Sequence, residues 1–195
     1  MNIPIALTLV RIVLVPLLMV FLISSERVNV LIAAVIFFAA SLTDWLDGLI
    51  ARRTNQVTKL GTLLDPVADK LLVAAALVAL VHVDRVDVWV AVVIIGREIA
   101  VTGLRGVALS MGVVVPASRL GKWKTVTQYV ALTLLIAERG VGGELFALFH
   151  GAGTLMLWIA LAVTVLSGAH YFYGFFLRTE SEALVKEAKE KERWP

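Results

Sequence analysis

Long apolar runs separated by short polar stretches make up most of the sequence, and they predict helices of membrane-crossing length. A helix of about 20 apolar residues crosses a bilayer, so a chain of 195 residues with short connections has room for about six. We therefore expect an all-α integral membrane protein with six transmembrane helices. The expected spans are residues 5–23, 29–50, 62–83, 86–109, 123–137 and a last span within 145–177.

The segments between and after these spans carry their own predictions. The polar, glycine-containing stretch 54–62 is expected to be a loop, with Pro66 in the first turn of the third helix. The apolar run 145–177 exceeds one crossing, which predicts an interfacial segment up to His150 and a break at 151–153 before the last span. We expect a transmembrane domain over 1–178 and a charged cytoplasmic tail, a solvated surface helix, over 179–195.

The composition excludes several classes of protein. Hydrophobic residues are 59% of the chain and charged residues 17%, which leaves too few polar residues to cover a soluble domain. Because there is no cysteine, thiolate nucleophiles, zinc–thiolate sites and iron–sulfur clusters are excluded, and any metal has oxygen or the three histidines as ligands. The net charge of +3 is interpreted as loop charge that orients the spans, and no nucleic-acid partner is expected.

The distribution of arginine and lysine predicts the orientation in the membrane. If the chain starts inside, most of these residues lie in the termini and in the second-to-third and fourth-to-fifth connections, on the cytoplasmic side. Only Arg27, Arg85 and Arg139 lie in the opposite loops. Because cytoplasmic loops carry an excess of Lys and Arg, we predict a multi-pass protein of the cell (inner) membrane with both termini cytoplasmic.

Four aspartates at the cytoplasmic ends of the second and third helices are the main candidate site. Asp44 and Asp47 are three residues apart and Asp65 and Asp69 are four apart, so each pair shares one helix face. Carboxylates within a span cost about 2.5–3.5 kcal/mol each, and a divalent cation offsets their repulsion. Oxygen ligands alone favour Mg²⁺, Mn²⁺ or Ca²⁺, and a pair of such ions is a recurrent device for phosphoryl displacement.

Each aspartate also has a structural interpretation. Asp65 before Pro66 fits a helix N-cap, and Asp44 or Asp47 fits a solvated helix end. Paired acids at helical spacing on two helix ends favour the metal site over these alternatives. Arg52 nearby is a fixed positive charge suited to phosphate oxygens. Small residues that would let a nucleotide come close are Gly48, Ala51 and Gly61.

The segment DWLDGLIARRTNQVTKLGTLLDPVAD reads D-x-x-D-G-x-x-A-R, eight residues, then G-x-x-x-D-x-x-x-D. It resembles the signature of the CDP-alcohol phosphatidyltransferases, with every defining position filled. The resemblance implies a dimeric six-helix membrane enzyme that passes a phosphatidyl group from CDP-diacylglycerol to an alcohol and releases CMP. It further implies two ions, Mg²⁺ or Mn²⁺, held by Asp44, Asp47, Asp65 and Asp69, with Asp69 also the general base. The matching nucleotide-binding positions are Gly48, Ala51, Arg52 and Gly61.

Other segments narrow the resemblance within the family. NIPIALTLVRIVLVP, GREIAVTGLR and GKWKTVTQ look like the group that includes phosphatidylglycerophosphate synthases, although Ile5 stands where a second Asn is usual. That group's acceptor is glycerol 3-phosphate, a dianion whose site needs fixed positive charges. The available cluster is Arg97, Arg105, Arg119, Lys122 and Lys124. Thr8 and Arg11 on the first helix are candidates to line the cavity, although Arg11 also fits snorkelling to headgroups.

For the other polar and aromatic residues, structural interpretations remain open. Arg97 has a possible partner in Glu98, but adjacent helical residues point apart, which weakens that interpretation. Lys122 and Lys124 fit ordinary loop lysines, and Lys70 is not expected to be catalytic. The tryptophans and tyrosines, including Tyr129, are interpreted as interfacial belt or packing residues, and the histidines as headgroup contacts.

Two rival functions remain at this stage. One is a sibling enzyme of the same family that uses inositol phosphate or phosphatidylglycerol as its acceptor. The other is a cation-coupled or proton-coupled transporter whose acids bind the ion. Transporters tend to show internal repeats and interrupted helices at mid-membrane, and no repeat is visible in this sequence.

Overall fold

A computed structural model describes residues 3–54, 59–111 and 119–192, with side chains over 8–43, 67–111, 121 and 123–177. Six α-helices account for nearly all of these residues, and no strand occurs among them. The predicted all-α class and the number of helices are confirmed. The helices are α1 (Ile3–Ile23), α2 (Arg27–Thr54), α3 (Lys59–His82), α4 (Val88–Ser110), α5 (Arg119–Ala137) and α6 (Glu144–Glu192).

The helices pack around a shared apolar core. The most extensive contacts join α5 to α6 and α1 to both α2 and α3, and α4 packs on α6. Small side chains such as Ala33, Ala76 and Ala131 are fully buried, which lets neighbouring helix backbones approach closely. The largest apolar side chains buried with them include Leu18, Leu22, Phe37, Leu72, Leu77, Leu80, Ile94, Leu132 and Leu135.

A buried carboxylate joins the turns at one end of the bundle. The side chain of Glu138 is fully buried; its Oε1 lies 3.4 Å from Arg85 Nε and its Oε2 lies 3.0 Å from His150 Nδ1. We call Arg85, Glu138 and His150 the Glu138 cluster. Next to it, Arg139 donates hydrogen bonds to the backbone carbonyls of Leu22 and Ser24. These contacts bring the α1–α2, α3–α4 and α5–α6 turns together, so the Asp69 site lies further along the helices from this end.

Two predicted details of the helix ends are wrong. Because α2 extends to Thr54 and α3 begins at Lys59, much of the stretch expected to be a loop is helical. Pro66 consequently lies beyond the first turn of α3. The polar residues of this stretch gave no indication that the helices continue into it.

The predicted break at 151–153 is also wrong, because α6 runs without interruption from Glu144 to Glu192. A Cβ built on Gly153 would lie 3.0 Å from the side chain of Leu135, so α5 packs directly on this glycine. Helix packing at this point offsets the weak helix propensity of glycine, about 1 kcal/mol per residue. The domain boundary expected at 178 falls inside α6.

The apolar character differs among the helices. Of the described residues, Glu144–Leu177 form a helical segment long and apolar enough to cross a membrane, and the apolar segments Thr8–Ile23 and Arg27–Thr43 are shorter. The six predicted spans therefore correspond to six helices, whereas their crossing of the membrane stays a prediction.

Candidate active site

Asp69 marks the centre of the candidate site. It lies half-buried on α3, between the fully buried Ala68 and Leu72, so α3 is held rigidly at this point. Tyr129 on α5 donates a hydrogen bond from its hydroxyl to Asp69 Oδ1. The rings of Tyr129 and Phe37 pack edge to face, with centroids 6.0 Å apart. The tyrosine is therefore fixed by the core, and it restricts the carboxylate that it binds.

A carboxylate shared by two cations lies close to Asp69. Glu98 Oε1 is 3.3 Å from Arg97 Nη1 and also accepts a hydrogen bond from Lys124 Nζ. All three side chains are shielded, with exposed fractions of 12% for Arg97, 15% for Glu98 and 7% for Lys124. We call these residues the Glu98 cluster. One carboxylate balances two cations, so the cluster keeps one surplus positive charge.

Arg97 is held on more than one side. Its Nε donates to the carbonyl oxygen of Thr164 at 3.1 Å, and its Nη2 donates to Ser167 Oγ at 2.7 Å. These bonds tie α4 to α6. The expectation that Arg97 and Glu98 point apart is wrong, because the long arginine side chain bends back to its neighbour. The pairing that looked weak from helical geometry is present.

A small polar cavity joins Asp69 to the Glu98 cluster. Its volume is about 40 Å³. It is lined by Asp69, Lys70, Val73, Glu98, Lys124, Thr125, Gln128 and Tyr129. Three helices, α3, α4 and α5, contribute to this wall. The cavity therefore combines a carboxylate able to accept a proton with a cation able to bind a phosphate.

A larger, mostly apolar groove lies on the other side of Tyr129. It has a volume of about 420 Å³ and runs between α2 and α5. Thr125 and Tyr129 line both this groove and the small cavity. The remaining lining residues are Phe38, Ser41, Leu42, Val126, Val130, Thr133 and Leu134. The polar cavity and the apolar groove thus meet at Thr125 and Tyr129.

Arg105 lies apart from this centre. It is eight residues beyond Arg97 on α4, which is about 12 Å along a helix axis. Its Nη2 donates to the Tyr171 hydroxyl, and its guanidinium lies over the Tyr171 ring at 4.7 Å from the centroid. The structure therefore separates the two described arginines that the sequence grouped together.

Thr8 and Arg11 are buried on α1, with exposed fractions of 2% and 3%. Such burial favours an interior role for Arg11 over snorkelling to headgroups. The backbone places Asp44 and Asp47 on α2 and Asp65 with Asp69 on α3. Side chains of the remaining predicted site residues lie outside the described set; these are Asp44, Asp47, Asp65, Gly48, Ala51, Arg52, Gly61, Arg119 and Lys122.

Where side chains are described, no three histidines, aspartates or glutamates come together as a metal site. Asp69 is the member of the predicted ligand set whose side chain is described. Its carboxylate oxygens are of the type that Mg²⁺ and Mn²⁺ prefer, so the chemistry of this donor fits the expected ions.

Sequence reasoning missed three residues of this site. Tyr129 was interpreted as belt or packing, Gln128 was not considered, and Glu98 was seen only as a partner for Arg97. Lys124 and Gln128 are four residues apart on α5, and Tyr129 follows directly. Polar side chains on one face of the shortest and most polar span were the available signal.

The described residues define an all-helical bundle that holds a carboxylate beside paired charges, with an apolar groove on its surface next to them. The model of the CDP-alcohol phosphatidyltransferase family matches residues 1–166, and the chain belongs to this family. It is therefore a member of a transferase family of membrane-embedded enzymes, in agreement with its apolar helices.

Relatives that share one name cover most of the chain. A Bacillus subtilis protein named CDP-diacylglycerol–glycerol-3-phosphate 3-phosphatidyltransferase is 43% identical over 183 residues, 88% of this chain and 93% of that protein. A Pseudomonas fluorescens protein of the same name is 40% identical over 194 residues, 95% of this chain and 97% of that protein. A Haemophilus influenzae protein of that name is 37% identical over 175 residues, 87% of this chain and 91% of that protein.

Proposed function

We propose that this protein transfers the phosphatidyl group from CDP-diacylglycerol to glycerol 3-phosphate, giving phosphatidylglycerophosphate and CMP. The observation that carries the proposal is the cavity in which the Asp69 carboxylate and the Lys124 ammonium are lining groups. A proton acceptor beside a cation suits a hydroxyl nucleophile that carries a phosphate. The shared name of the relatives supports the identity of both substrates.

The reaction exchanges one phosphorus–oxygen bond for another. A hydroxyl oxygen of glycerol 3-phosphate attacks the phosphorus that carries diacylglycerol, in line with the bond to CMP. That bond breaks, and CMP leaves with the bonding electron pair. Asp69 accepts the proton of the attacking hydroxyl, and Tyr129, which donates to Oδ1, positions the carboxylate for this transfer.

Two divalent ions, Mg²⁺ or Mn²⁺, belong to this proposal. Asp44, Asp47, Asp65 and Asp69 would hold them, since carboxylate oxygens are the preferred ligands of such ions. The ions neutralise pyrophosphate charge when bound, which makes CMP a better leaving group. The nucleotide would lie against Gly48, Ala51, Arg52, Gly61 and Thr8.

Fixed positive charges bind the acceptor phosphate in this scheme. Lys124 lines the same cavity as Asp69. Arg97 contributes its charge while holding Glu98 in place. Arg105 lies further along α4, where it suits the approach to the site more than its centre. The full proposed set is Arg97, Arg105, Arg119, Lys122 and Lys124.

The apolar groove between α2 and α5 suits an acyl chain of CDP-diacylglycerol. Thr125 and Tyr129 form its boundary with the small cavity, so a lipid in the groove would carry its charged head toward Asp69. This arrangement keeps the hydrocarbon away from water and the reacting phosphate in a polar environment.

We propose that the enzyme works as a homodimer in the cell (inner) membrane. The chain would cross the membrane six times, with both termini and the active site on the cytoplasmic side.

The test is CMP release by the purified protein in detergent micelles that contain CDP-diacylglycerol. We expect release with Mg²⁺ or Mn²⁺ when glycerol 3-phosphate is added, and loss of release with excess EDTA. Release driven by inositol phosphate or phosphatidylglycerol instead would favour the sibling enzyme. A protein that releases no CMP with any of these acceptors would not be a phosphatidyltransferase, and a transporter assay in vesicles would follow.

A further inference from the structure

We propose that the side-chain amide of Gln128 binds the non-reacting hydroxyl of the acceptor, and that this bond selects glycerol 3-phosphate over phosphates with a single hydroxyl. The inference rests on the proposed function, because it names a specificity-determining residue for that reaction. Gln128 has no assigned role, and its environment in the structure differs from that of the other polar residues of the cavity.

The first observation is a buried acceptor without a donor. Gln128 has an exposed fraction of 3%, and its Oε1 meets no hydrogen-bond donor among the residues described. A buried carbonyl oxygen left in this state costs about 1–3 kcal/mol. Native proteins rarely keep such an atom unless water or a ligand satisfies it.

The second observation is the space beside that atom. Gln128 lines the cavity of about 40 Å³ that also contains Asp69 and Lys124 in its wall. One water molecule occupies about 30 Å³ in the liquid, so the cavity accommodates a group of hydroxyl size. An amide oxygen accepts hydrogen bonds and does not donate them, so the missing partner must carry a donor hydrogen. A hydroxyl meets this requirement, whereas an ionised phosphate oxygen does not.

The third observation is the order of groups along α5. Lys124 lies one helical turn before Gln128, and Tyr129, which binds Asp69, follows it. Glycerol 3-phosphate presents the matching set: a phosphate, an unhindered terminal hydroxyl and a second hydroxyl between them. With the phosphate at Lys124 and the terminal hydroxyl at Asp69, the central hydroxyl is left for Gln128.

The helix that carries Gln128 is held firmly. Ala131, Leu132 and Leu135 follow on α5 and are fully buried in the core. A rigid helix matters for selectivity, because a site that can relax around a missing hydroxyl discriminates poorly between acceptors with and without that hydroxyl. A site that buries a polar group for one substrate hydroxyl rejects the analogue without it, since that group then stays unpaired.

The experiment compares glycerol 3-phosphate with 3-hydroxypropyl phosphate, which keeps the phosphate and the terminal hydroxyl but lacks the central one. We expect the full-length wild-type protein to favour glycerol 3-phosphate by about 10- to 100-fold in kcat/KM, the range for one buried hydrogen bond. Gln128→Met has similar length and no amide, and it should reduce this preference to within about 3-fold.

The matched control is Thr127→Val, one residue away on α5. The Thr127 hydroxyl bonds to the backbone carbonyls of Trp123 and Lys124 in its own helix, and its side chain lines neither the cavity nor the groove. This variant should keep the wild-type preference. A Gln128→Met variant that loses activity equally with both acceptors would assign Gln128 a structural role and overturn the inference.

If the variant does not fold, the wild-type measurement alone can still overturn the inference. Equal efficiency with both acceptors would overturn the inference while leaving the proposed function in place. No CMP release with either acceptor would overturn the proposed function, and the inference with it. A clear preference for glycerol 3-phosphate in the wild type supports the inference, and its loss in Gln128→Met assigns the preference to this residue.

Discussion

The bundle contains two clusters in which one carboxylate contacts two basic side chains, and they have different surroundings. Glu98 is shared by Arg97 and Lys124, and Glu138 is shared by Arg85 and His150. The Glu138 side chain is fully buried where three turns of the chain meet. The Glu98 cluster lies between helices and borders a cavity that holds Asp69. The comparison indicates that a carboxylate with two basic neighbours joins turns of the chain in one cluster and borders a candidate binding site in the other.

The difference lies in the surroundings of each cluster. Next to Glu138, Arg139 is bound to backbone carbonyls of the α1–α2 turn, and the ring of Phe146 stacks on His150 at 5.9 Å between centroids. Next to the Glu98 cluster, a polar cavity and the unpartnered amide oxygen of Gln128 remain. The Glu138 cluster lies where turns of the chain meet, whereas the Glu98 cluster borders a cavity whose wall includes the carboxylate of Asp69.

In the candidate active site, the largest effect on turnover is expected from removal of the general base, Asp69. Asp69→Asn keeps the shape of the side chain but removes its capacity to accept a proton, so turnover should fall about 1,000-fold with metal and lipid binding largely kept. CMP release measures this effect. Asp87→Asn, at the exposed N-cap of α4, is the control and should retain wild-type turnover. Turnover retained in Asp69→Asn would remove Asp69 as the base.

In the Glu138 cluster, the largest effect expected from a substitution is a loss of stability. Glu138→Gln leaves the Arg85 charge without its buried counter-ion. Because the Arg85 side chain is 33% exposed, water compensates part of this loss, and we expect a cost of about 1 kcal/mol. We expect a lower apparent Tm in detergent, followed by the fluorescence of the native tryptophans. The KM for glycerol 3-phosphate of the folded fraction should stay unchanged. A raised KM with an unchanged Tm would reverse the roles of the two clusters.

A substitution in the Glu98 cluster should change the binding of glycerol 3-phosphate. Lys124→Met removes a cation that lines the cavity with Asp69, so the KM for glycerol 3-phosphate should rise about 30-fold while the KM for CDP-diacylglycerol changes little. Initial rates at varied concentrations of each substrate separate the two constants. Arg27→Ala removes an exposed cation at the start of α2 and serves as the control. The opposite pattern in Lys124→Met would move this lysine to the nucleotide side.

A smaller effect is expected from the residue that positions the base. Tyr129→Phe keeps the ring against Phe37 but removes the hydrogen bond to Asp69, so kcat should fall about 5-fold with little change in either KM. Tyr173→Phe, on an exposed part of α6, is the matched control. If Tyr129→Phe raised the KM values and left kcat unchanged, the tyrosine would act on substrate binding and not on the base.

The helices could be predicted from the sequence because their apolar runs are long. Their number, their order and many of their ends follow from the hydrophobic pattern, and the D-x-x-D-G-x-x-A-R motif indicated the family. The site contacts could not be predicted in the same way. That Tyr129 meets Asp69, 60 residues away, depends on how α5 rotates against α3. A periodicity along one helix carries no information about that rotation.

The contacts of Glu98 with Arg97 and Lys124 could not be predicted from the sequence pattern either, although Arg97 is the adjacent residue. Helical geometry predicts that adjacent side chains diverge, and this prediction concerns the directions of their Cα–Cβ bonds. Arginine is long enough to bend back, and the bonds from Arg97 to Thr164 and Ser167 hold it in that position. Lys124 then reaches the same carboxylate from another helix. Tertiary contacts decide which local pair forms, and these contacts are absent from the local pattern.

The smallest expected effect concerns the glycines for which the sequence predicted a break. A Cβ on Gly151 would meet no atom within 4 Å, so Gly151→Ala should stabilise α6 by up to about 1 kcal/mol through helix propensity. At Gly153 the Cβ would lie 3.0 Å from Leu135, so Gly153→Ala should lose that gain and lower the apparent Tm. The two variants differ only in position, which makes each the control for the other. If Gly151→Ala were the more harmful, α6 would need its flexibility there, and the interrupted last helix would regain support.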